Sequence, residues 1–153
     1  MAKVELLAAD DLRVLTSVLF DALPDKQRLC DMIQSDGASA YTAWSGSKLV
    51  GAVSMRWSPI SEIELLAVAS KFRGKGFGRA IVNEVMEEAK RRSSESVIVG
   101  TGNIAVDNII FYQKCGFRMR AVRQDFFHDL RTPIMSRGIL LRDMLVFEYK
   151  ITD

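Results

Sequence analysis

The sequence predicts a single α+β domain, residues 1–153, in which a central mixed β-sheet is flanked by helices. A chain of 153 residues lies within the usual size of one domain. The first half contains short apolar strands joined by local turns, which is typical of an antiparallel meander. The second half has a strand, a glycine-rich loop, a helix and a strand in succession, an order that makes the two strands parallel. The expected element order is β-α-α-β-β-β-α-β-α-β-β.

In the first half, two short helices are expected after a first strand at Lys3–Leu7. Asp10 or Asp11 can cap the first helix, because a carboxylate accepts hydrogen bonds from the free amides of a helix start. Pro24 suits the first turn of the second helix. Three antiparallel strands are then expected at Ser39–Trp44, Lys48–Trp57 and Glu62–Ala69.

In the second half, a glycine-rich loop after Ser70 opens a long helix with a continuous apolar face. A short buried strand at Ser96–Val99 and a helix near Ala105–Cys115 follow, and Gly116 ends that helix. The last two strands are expected at Phe117–Phe127 and Arg142–Ile151. The connection between them, His128–Leu141, is longer than a hairpin turn, and such loops often carry function.

Composition excludes several classes of protein. The hydrophobic fraction is 48% and the charged fraction 26%, as in ordinary globular domains. No apolar run approaches the ~20 residues that cross a bilayer, and the N-terminus lacks the apolar stretch of a signal peptide, so we expect a cytoplasmic protein without a membrane partner. Two cysteines and one histidine make a disulfide framework or a metal site improbable. The balance of 21 basic and 19 acidic residues disfavours nucleic acid as a partner.

The glycine-rich loop predicts an anion site at the start of the long helix. Its residues are Arg73, Gly74, Lys75, Gly76, Phe77, Gly78 and Arg79. Three alternating glycines let a ligand approach main-chain amides, which a helix start directs outward with the positive end of its dipole. No acidic residue occurs between Glu64 and Glu84. A diphosphate is the expected ligand, although the spacing fits neither a P-loop nor a dinucleotide fingerprint. The alternative is a glycine-rich turn with solvated lysines.

Two motifs resemble the GNAT superfamily of N-acetyltransferases. Arg73-x-x-Gly76-x-Gly78, after a strand that ends in Leu66-Ala67-Val68, is similar to its coenzyme A loop. The segment Phe111–Phe117, with its tyrosine followed by Gly-Phe, resembles the family's second signature. Both occur in the family's order and at its usual separation, and the element order matches over nearly the whole chain. The segment from Asp125 to Met144 also resembles a small bacterial branch of the family.

The resemblance implies an acetyl-CoA-dependent N-acetyltransferase that transfers acetyl directly to a primary amine of a small molecule or peptide. It places the pyrophosphate on the glycine loop and the pantetheine arm along Leu66–Val68. It assigns further cofactor contacts to Asn108, Phe111, Tyr112 and Lys114. The family often has an asparagine seven residues before the tyrosine, where this chain has Ala105, so Asn103 or Asn108 is expected to replace it, Asn103 as a possible helix cap.

The resemblance also implies that Tyr112 acts as the acid toward the leaving thiolate; the alternative is a core aromatic. Glu62 and Glu64 are two apart on one strand and therefore share a face, where either can act as the base. The alternative is a pair of solvated carboxylates. A non-catalytic acyl-CoA-binding sensor is the competing function. The amine acceptor is not specified by the sequence, but the segment Phe20–Asp25 and the loop His128–Leu141 are expected to contact it. A homodimer is expected only from family habit.

Overall fold

The computed structural model describes residues 2–151 and contains the expected elements in the expected order. The first half comprises β1 (Glu5–Ala8), α1 (Leu12–Leu19), α2 (Lys26–Gln34), β2 (Ala38–Ser45), β3 (Lys48–Arg56) and β4 (Ile60–Val68). The second half comprises a 3-10 turn (Ser70–Phe72), α3 (Phe77–Arg91), β5 (Ser96–Gly102), α4 (Val106–Lys114), β6 (Arg118–Arg123), β7 (Met135–Ser136), β8 (Ile139–Leu140) and β9 (Met144–Lys150). Among the described residues, no helix is long and apolar enough to cross a membrane.

Seven of these strands form one mixed sheet in the order β1-β2-β3-β4-β5-β9-β6. The strands β1 to β4 pair antiparallel, as the meander predicts. The pair β4–β5 is parallel, because α3 carries the chain back across the sheet between them. β9 lies antiparallel between β5 and β6, which makes β6 an edge strand. The predicted fold class is confirmed.

Two hydrophobic cores lie on opposite faces of the sheet. Leu15, Leu19 and Leu29 of α1 and α2 belong to one core, which covers what we call the α1/α2 face. Ile81 and Val85 of α3 belong to the other core, which covers the α3 face. The apolar periodicity of each helix therefore decides which face of the sheet it covers.

A β-bulge in β4 reverses the alternation of its side chains between the two faces of the sheet. Ile63 belongs to the core of the α3 face, whereas Leu65 belongs to the core of the α1/α2 face. The register pairs Met55 with Ile63 and Ser54 with Leu65, which leaves Glu64 as the extra residue of the bulge. β4 and β5 pair only from Ile60–Ile63 with Ser96–Val99, and beyond that point the two strands diverge. The sheet therefore opens immediately after the bulge.

The boundaries differ from the sequence predictions in three places. Asp11, not Asp10, caps α1, and Asp25 caps α2, so Pro24 precedes the second helix instead of lying in its first turn. The two final strands are shorter than predicted. β6 ends at Arg123 because Asp125 takes a positive φ of 55° and its N–H donates to the Asp143 carboxylate. The long connection also contains the β7–β8 hairpin, which the sequence analysis did not predict.

Candidate active site

The glycine loop leads into α3 through two residues in the left-handed region. Gly74 has a φ of +73° and Gly76 a φ of +87°, conformations that favour glycine. Gly76 is the N-cap of α3 and provides no side-chain cap. The Ala80 N–H donates to the Gly76 carbonyl at 3.1 Å, so the three helical amides before Ala80 lack intrahelical partners. This helix start is suited to bind an anion, as the sequence predicts.

A cavity of about 800 Å³ lies between this loop, the end of β4 and the outer side of α4. The predicted residues that line it are Leu66, Ala67, Val68, Arg73, Gly74, Gly76, Phe77, Gly78, Arg79, Asn108, Phe111, Tyr112 and Lys114. Residues outside the predicted cofactor contacts also line it: Asp21, Ala22, Phe72, Asp107 and Cys115. Gly78 lies where α3 approaches α4, and a Cβ there would make a tight contact of 3.3 Å with the Phe111 ring. Lys75 belongs to the loop but is not among the lining residues.

Arg73 lies at the mouth of the cavity between two elements. Its Nε donates to the Val68 carbonyl at 3.0 Å, and its Nη2 pairs with the Asp21 carboxylate at 2.5 Å. Asp21 follows α1, so this pair connects the glycine loop with the α1–α2 connection. The sequence predicts that the segment Phe20–Asp25 contacts the acceptor, and Asp21 and Ala22 of that segment line the same cavity as the predicted cofactor contacts.

The end of β4 presents main-chain amides to the opening in the sheet. The Ala69 N–H donates to the Val50 carbonyl of β3 at 2.8 Å. Because successive amides of a strand alternate in direction, Leu66 and Val68 direct theirs away from β3, toward the side where β5 has diverged. Ala67 directs its amide to β3. Of the three predicted residues, Leu66 and Val68 therefore offer free main-chain donors to a ligand that lies along this edge.

Tyr112 is a buried residue that contributes to the lining of the cavity. Its side chain is 6% exposed and packs among the rings of Phe111, Phe117 and Phe147. Within residues 2–151 its hydroxyl makes no hydrogen bond. Burial raises the pKa of Tyr112 well above its ordinary value of 10.0, so the phenol is protonated at neutral pH. Tyr112 is therefore a proton donor without a protein partner.

Glu62 and Glu64 lie on the α1/α2 face, beside the opening rather than in the cavity lining. Glu64 pairs with Arg56 at 3.4 Å and Glu62 with Arg123 at 3.6 Å, and both acid side chains are less than a quarter exposed. They are therefore not a pair of freely solvated carboxylates. Burial raises the pKa of Glu64, against an opposing effect of Arg56. One buried oxygen of Glu64, Oε1, has no hydrogen-bond partner among the described residues.

The expectation that Asn103 caps a helix is wrong. Ala105 is the N-cap of α4, with no side-chain cap. The Asn103 amide nitrogen donates to the Leu140 carbonyl at 3.0 Å, and its oxygen accepts from the N–H groups of Arg142 and Asp143 at 2.9 and 3.1 Å. Asn103 therefore fastens the end of β5 to the segment before β9, outside the cavity. Asn108 does line the cavity.

A helix start with free amides, an open strand edge and a buried phenol meet in one cavity, as the resemblance to acyl-CoA-dependent transferases implies. The chain belongs to the Acetyltransferase (GNAT) family, whose profile matches residues 7–117. It is 39% identical to the uncharacterized N-acetyltransferase YvbK of Bacillus subtilis over 108 residues. This alignment covers 69% of this chain and 70% of YvbK.

Two solved structures share the fold and hold the predicted cofactor. A Bacillus subtilis acetyltransferase in complex with CoA has a TM-score of 0.84 and 32% identity, over 97% of this chain and 98% of that one. A GNAT acetyltransferase from Elizabethkingia anophelis with acetyl-CoA bound has a TM-score of 0.88 and 25% identity, over 99% and 100% of the two chains. The predictions of the GNAT superfamily, its fold and its cofactor are confirmed. Among residues 2–151, no group of side chains could hold a metal ion.

Proposed function

We propose that this protein transfers the acetyl group of acetyl-CoA to a primary amine of a small molecule or peptide. The observation that carries the proposal is the extent of the 800 Å³ cavity, which reaches from the free amides of the α3 start to Tyr112. One end suits a diphosphate and the other end offers a proton donor. A molecule with a diphosphate at one end and a reactive sulfur at the other matches that arrangement.

The residues present fit two parts of acetyl-CoA, the diphosphate and the pantetheine arm. The helix amides at Phe77, Gly78 and Arg79 would hold the diphosphate, supported by the basic side chains of the loop. The free amides of Leu66 and Val68 would bind the extended pantetheine arm as a strand binds a partner. Part of the affinity therefore depends on main-chain groups that most substitutions leave in place.

When bound, acetyl-CoA supplies an acetyl group activated as a thioester. An alkylamine with a pKa near ~10 is protonated at neutral pH and must lose a proton before it can attack. Glu64 is our candidate for the group that takes this proton, because it lies at the bulge where the sheet opens and burial raises its pKa. Glu62 is the second candidate, two residues away on the same face.

Tyr112 would donate a hydrogen bond to the charge that develops on the leaving sulfur. A thiol has a pKa of about 8.5, and burial raises the pKa of Tyr112 above 10.0, so complete transfer of the phenolic proton is unfavourable. We therefore expect Tyr112 to stabilise the leaving group mainly as a hydrogen-bond donor. In a buried site such a bond is worth more than in water.

The experiment is a measurement of free thiol released from acetyl-CoA in the presence of a panel of primary amines. Amine-dependent thiol release, reduced in Tyr112→Phe while calorimetric CoA affinity is kept, would support the enzyme. CoA binding without thiol release for any amine would favour the sensor instead. Absence of CoA binding would refute both functions.

A further inference from the structure

Three ion pairs cross the α1/α2 face next to the opening in the sheet. The pairs are Arg56–Glu64 between β3 and β4, Arg123–Glu62 between β6 and β4, and Arg120–Glu148 between β6 and β9. In each pair the acid is the more buried partner, with 16–23% of its side chain exposed, while the arginines are 39–45% exposed. The outer layer of this charged surface therefore consists of guanidinium groups.

Arg123 differs from Arg56 in its contacts and from Arg120 in its position. Arg56 is held by the Asp36 carbonyl and the Ser35 hydroxyl as well as by its acid partner. Arg123 uses only Nη1, in long contacts of 3.6 Å with the Glu62 carboxylate and 3.6 Å with the Met144 sulfur. Within the described part of the chain its Nε and Nη2 donate no hydrogen bond. Such a planar pair of free donors matches a carboxylate or phosphate.

The position of Arg123 places this free pair of donors beside the proposed reaction centre. Arg123 is the last residue of β6 and lies opposite Met144, which in turn lies opposite Gly102 at the end of β5. This level is beyond Val99, the last residue of β5 that pairs with β4. The acid that Arg123 contacts, Glu62, is two residues from Glu64 on β4, a spacing of about 7 Å along a strand. Arg120 instead contacts Glu148, which lies on the far side of β5 from β4.

We propose that the acceptor is an amine that also carries an oxyanion, a carboxylate or a phosphate, and that Arg123 binds this group. This inference rests on the proposed function and names the substrate class for the same site. The ammonium end of such a molecule would be attracted to Glu64 and Glu62. Its anionic end would occupy the free Nε and Nη2 of Arg123, which fixes the amine in one orientation. Arg123 is thus a specificity-determining residue.

The experiment compares matched amines in the thiol-release assay. Amino acids with one to four carbons between the two groups are each paired with their uncharged amides, and O-phosphoethanolamine is paired with ethanolamine. We expect at least one anionic amine to exceed its neutral partner by about 10–100-fold in kcat/KM, the range for a charge-assisted bidentate contact. The carboxylate and phosphate arms show which oxyanion is recognised.

Arg123→Gln and Arg120→Gln form a matched pair of variants, since both arginines lie on β6 and contact a glutamate of the same face. Arg123→Gln should remove the preference, chiefly by raising KM for the anionic amine, so that the ratio of kcat/KM between the anionic amine and its neutral partner falls to about one. Arg120→Gln should keep the preference. Equal use of anionic and neutral amines by the wild type, or equal losses in both variants, would overturn the inference.

If no amine releases thiol, the proposed function fails. A binding measurement then tests whether Arg123 recognises an anionic amine. The same amines would be titrated calorimetrically into the CoA-loaded protein. Binding of an anionic amine that weakens at least tenfold in Arg123→Gln, but not in Arg120→Gln, would support it. Absence of binding by every anionic amine would refute it.

Discussion

Gly76→Glu provides the most direct test of the anion site at the start of α3. Gly76 has a φ of +87°, and a Cβ there would meet only the Ala2 side chain, at 3.7 Å. The fold should therefore tolerate the change at a cost of about 1–2 kcal/mol for a left-handed side-chain residue. For a domain of this size that corresponds to a fall in Tm of about 2–8 °C. A carboxylate about 5 Å from a diphosphate charge, at an effective dielectric constant of about 20, is repelled by about 3 kcal/mol, so CoA affinity should fall at least 100-fold.

Two further variants separate strain, bulk and charge. Gly46 in the β2–β3 turn also has a positive φ, +61°, and open space around it, so Gly46→Glu should show a similar fall in Tm and unchanged CoA affinity. Gly76→Gln adds the same bulk without the charge and should bind CoA more tightly than Gly76→Glu. Tm is measured by thermal unfolding and affinity by calorimetry. Wild-type CoA affinity in Gly76→Glu would refute the assignment of the diphosphate to this helix start.

Three other substitutions test the remaining roles. Tyr112→Phe should lower kcat about 10–100-fold, the worth of one hydrogen bond to a developing charge, with CoA affinity kept; an unchanged kcat would remove Tyr112 from the reaction. If Glu64 is the base, activity should fall as the pH decreases through the pKa of Glu64, which burial raises above 4.5. An acid limb of the pH–activity profile at or below 4.5 would contradict this role. The same burial disfavours the ionised form, so Glu64→Gln should be more stable than wild type at pH 7, with a difference that shrinks toward acid pH in denaturant titrations. Asn103→Ala should lower the free energy of unfolding by about 2 kcal/mol, which corresponds to a fall in Tm of about 4–8 °C, and should leave CoA affinity unchanged. A tenfold weaker CoA affinity would show that Asn103 contacts the cofactor.

The sequence was sufficient for the seven-stranded sheet and its four α-helices because each of these elements carries a local signal. Caps, glycines and apolar periodicity predicted the helices and strands, and the crossover through α3 predicted the parallel pair β4–β5. The glycine loop was predictable for the same reason, since its backbone and its charges lie within a few consecutive residues.

The features that depend on contacts between distant segments could not be predicted from the types of residue alone. The bulge at Glu64 exists only relative to the register of β3, and no residue type in β4 marks it. The partners of Asn103 come from the segment before β9, about 40 residues later, so its polar side chain was open to a wrong assignment. The proposed role of Arg123 could not be predicted either, because it depends on Glu62, which lies on a strand three places away in the sheet.

The composition of the edge strand β6 limits how copies of this protein can meet. Three of its six residues are arginines, and its register with β9 is interrupted at Arg120. If two copies added their β6 strands antiparallel in full register, Arg118 of each would oppose Arg123 of the other, and like charges in direct opposition destabilise such a pair. The irregularity also bends the edge away from a flat template. A sheet that continues from one molecule into the next is therefore disfavoured here, and the chain can present this edge to solvent without a tendency to polymerise through it.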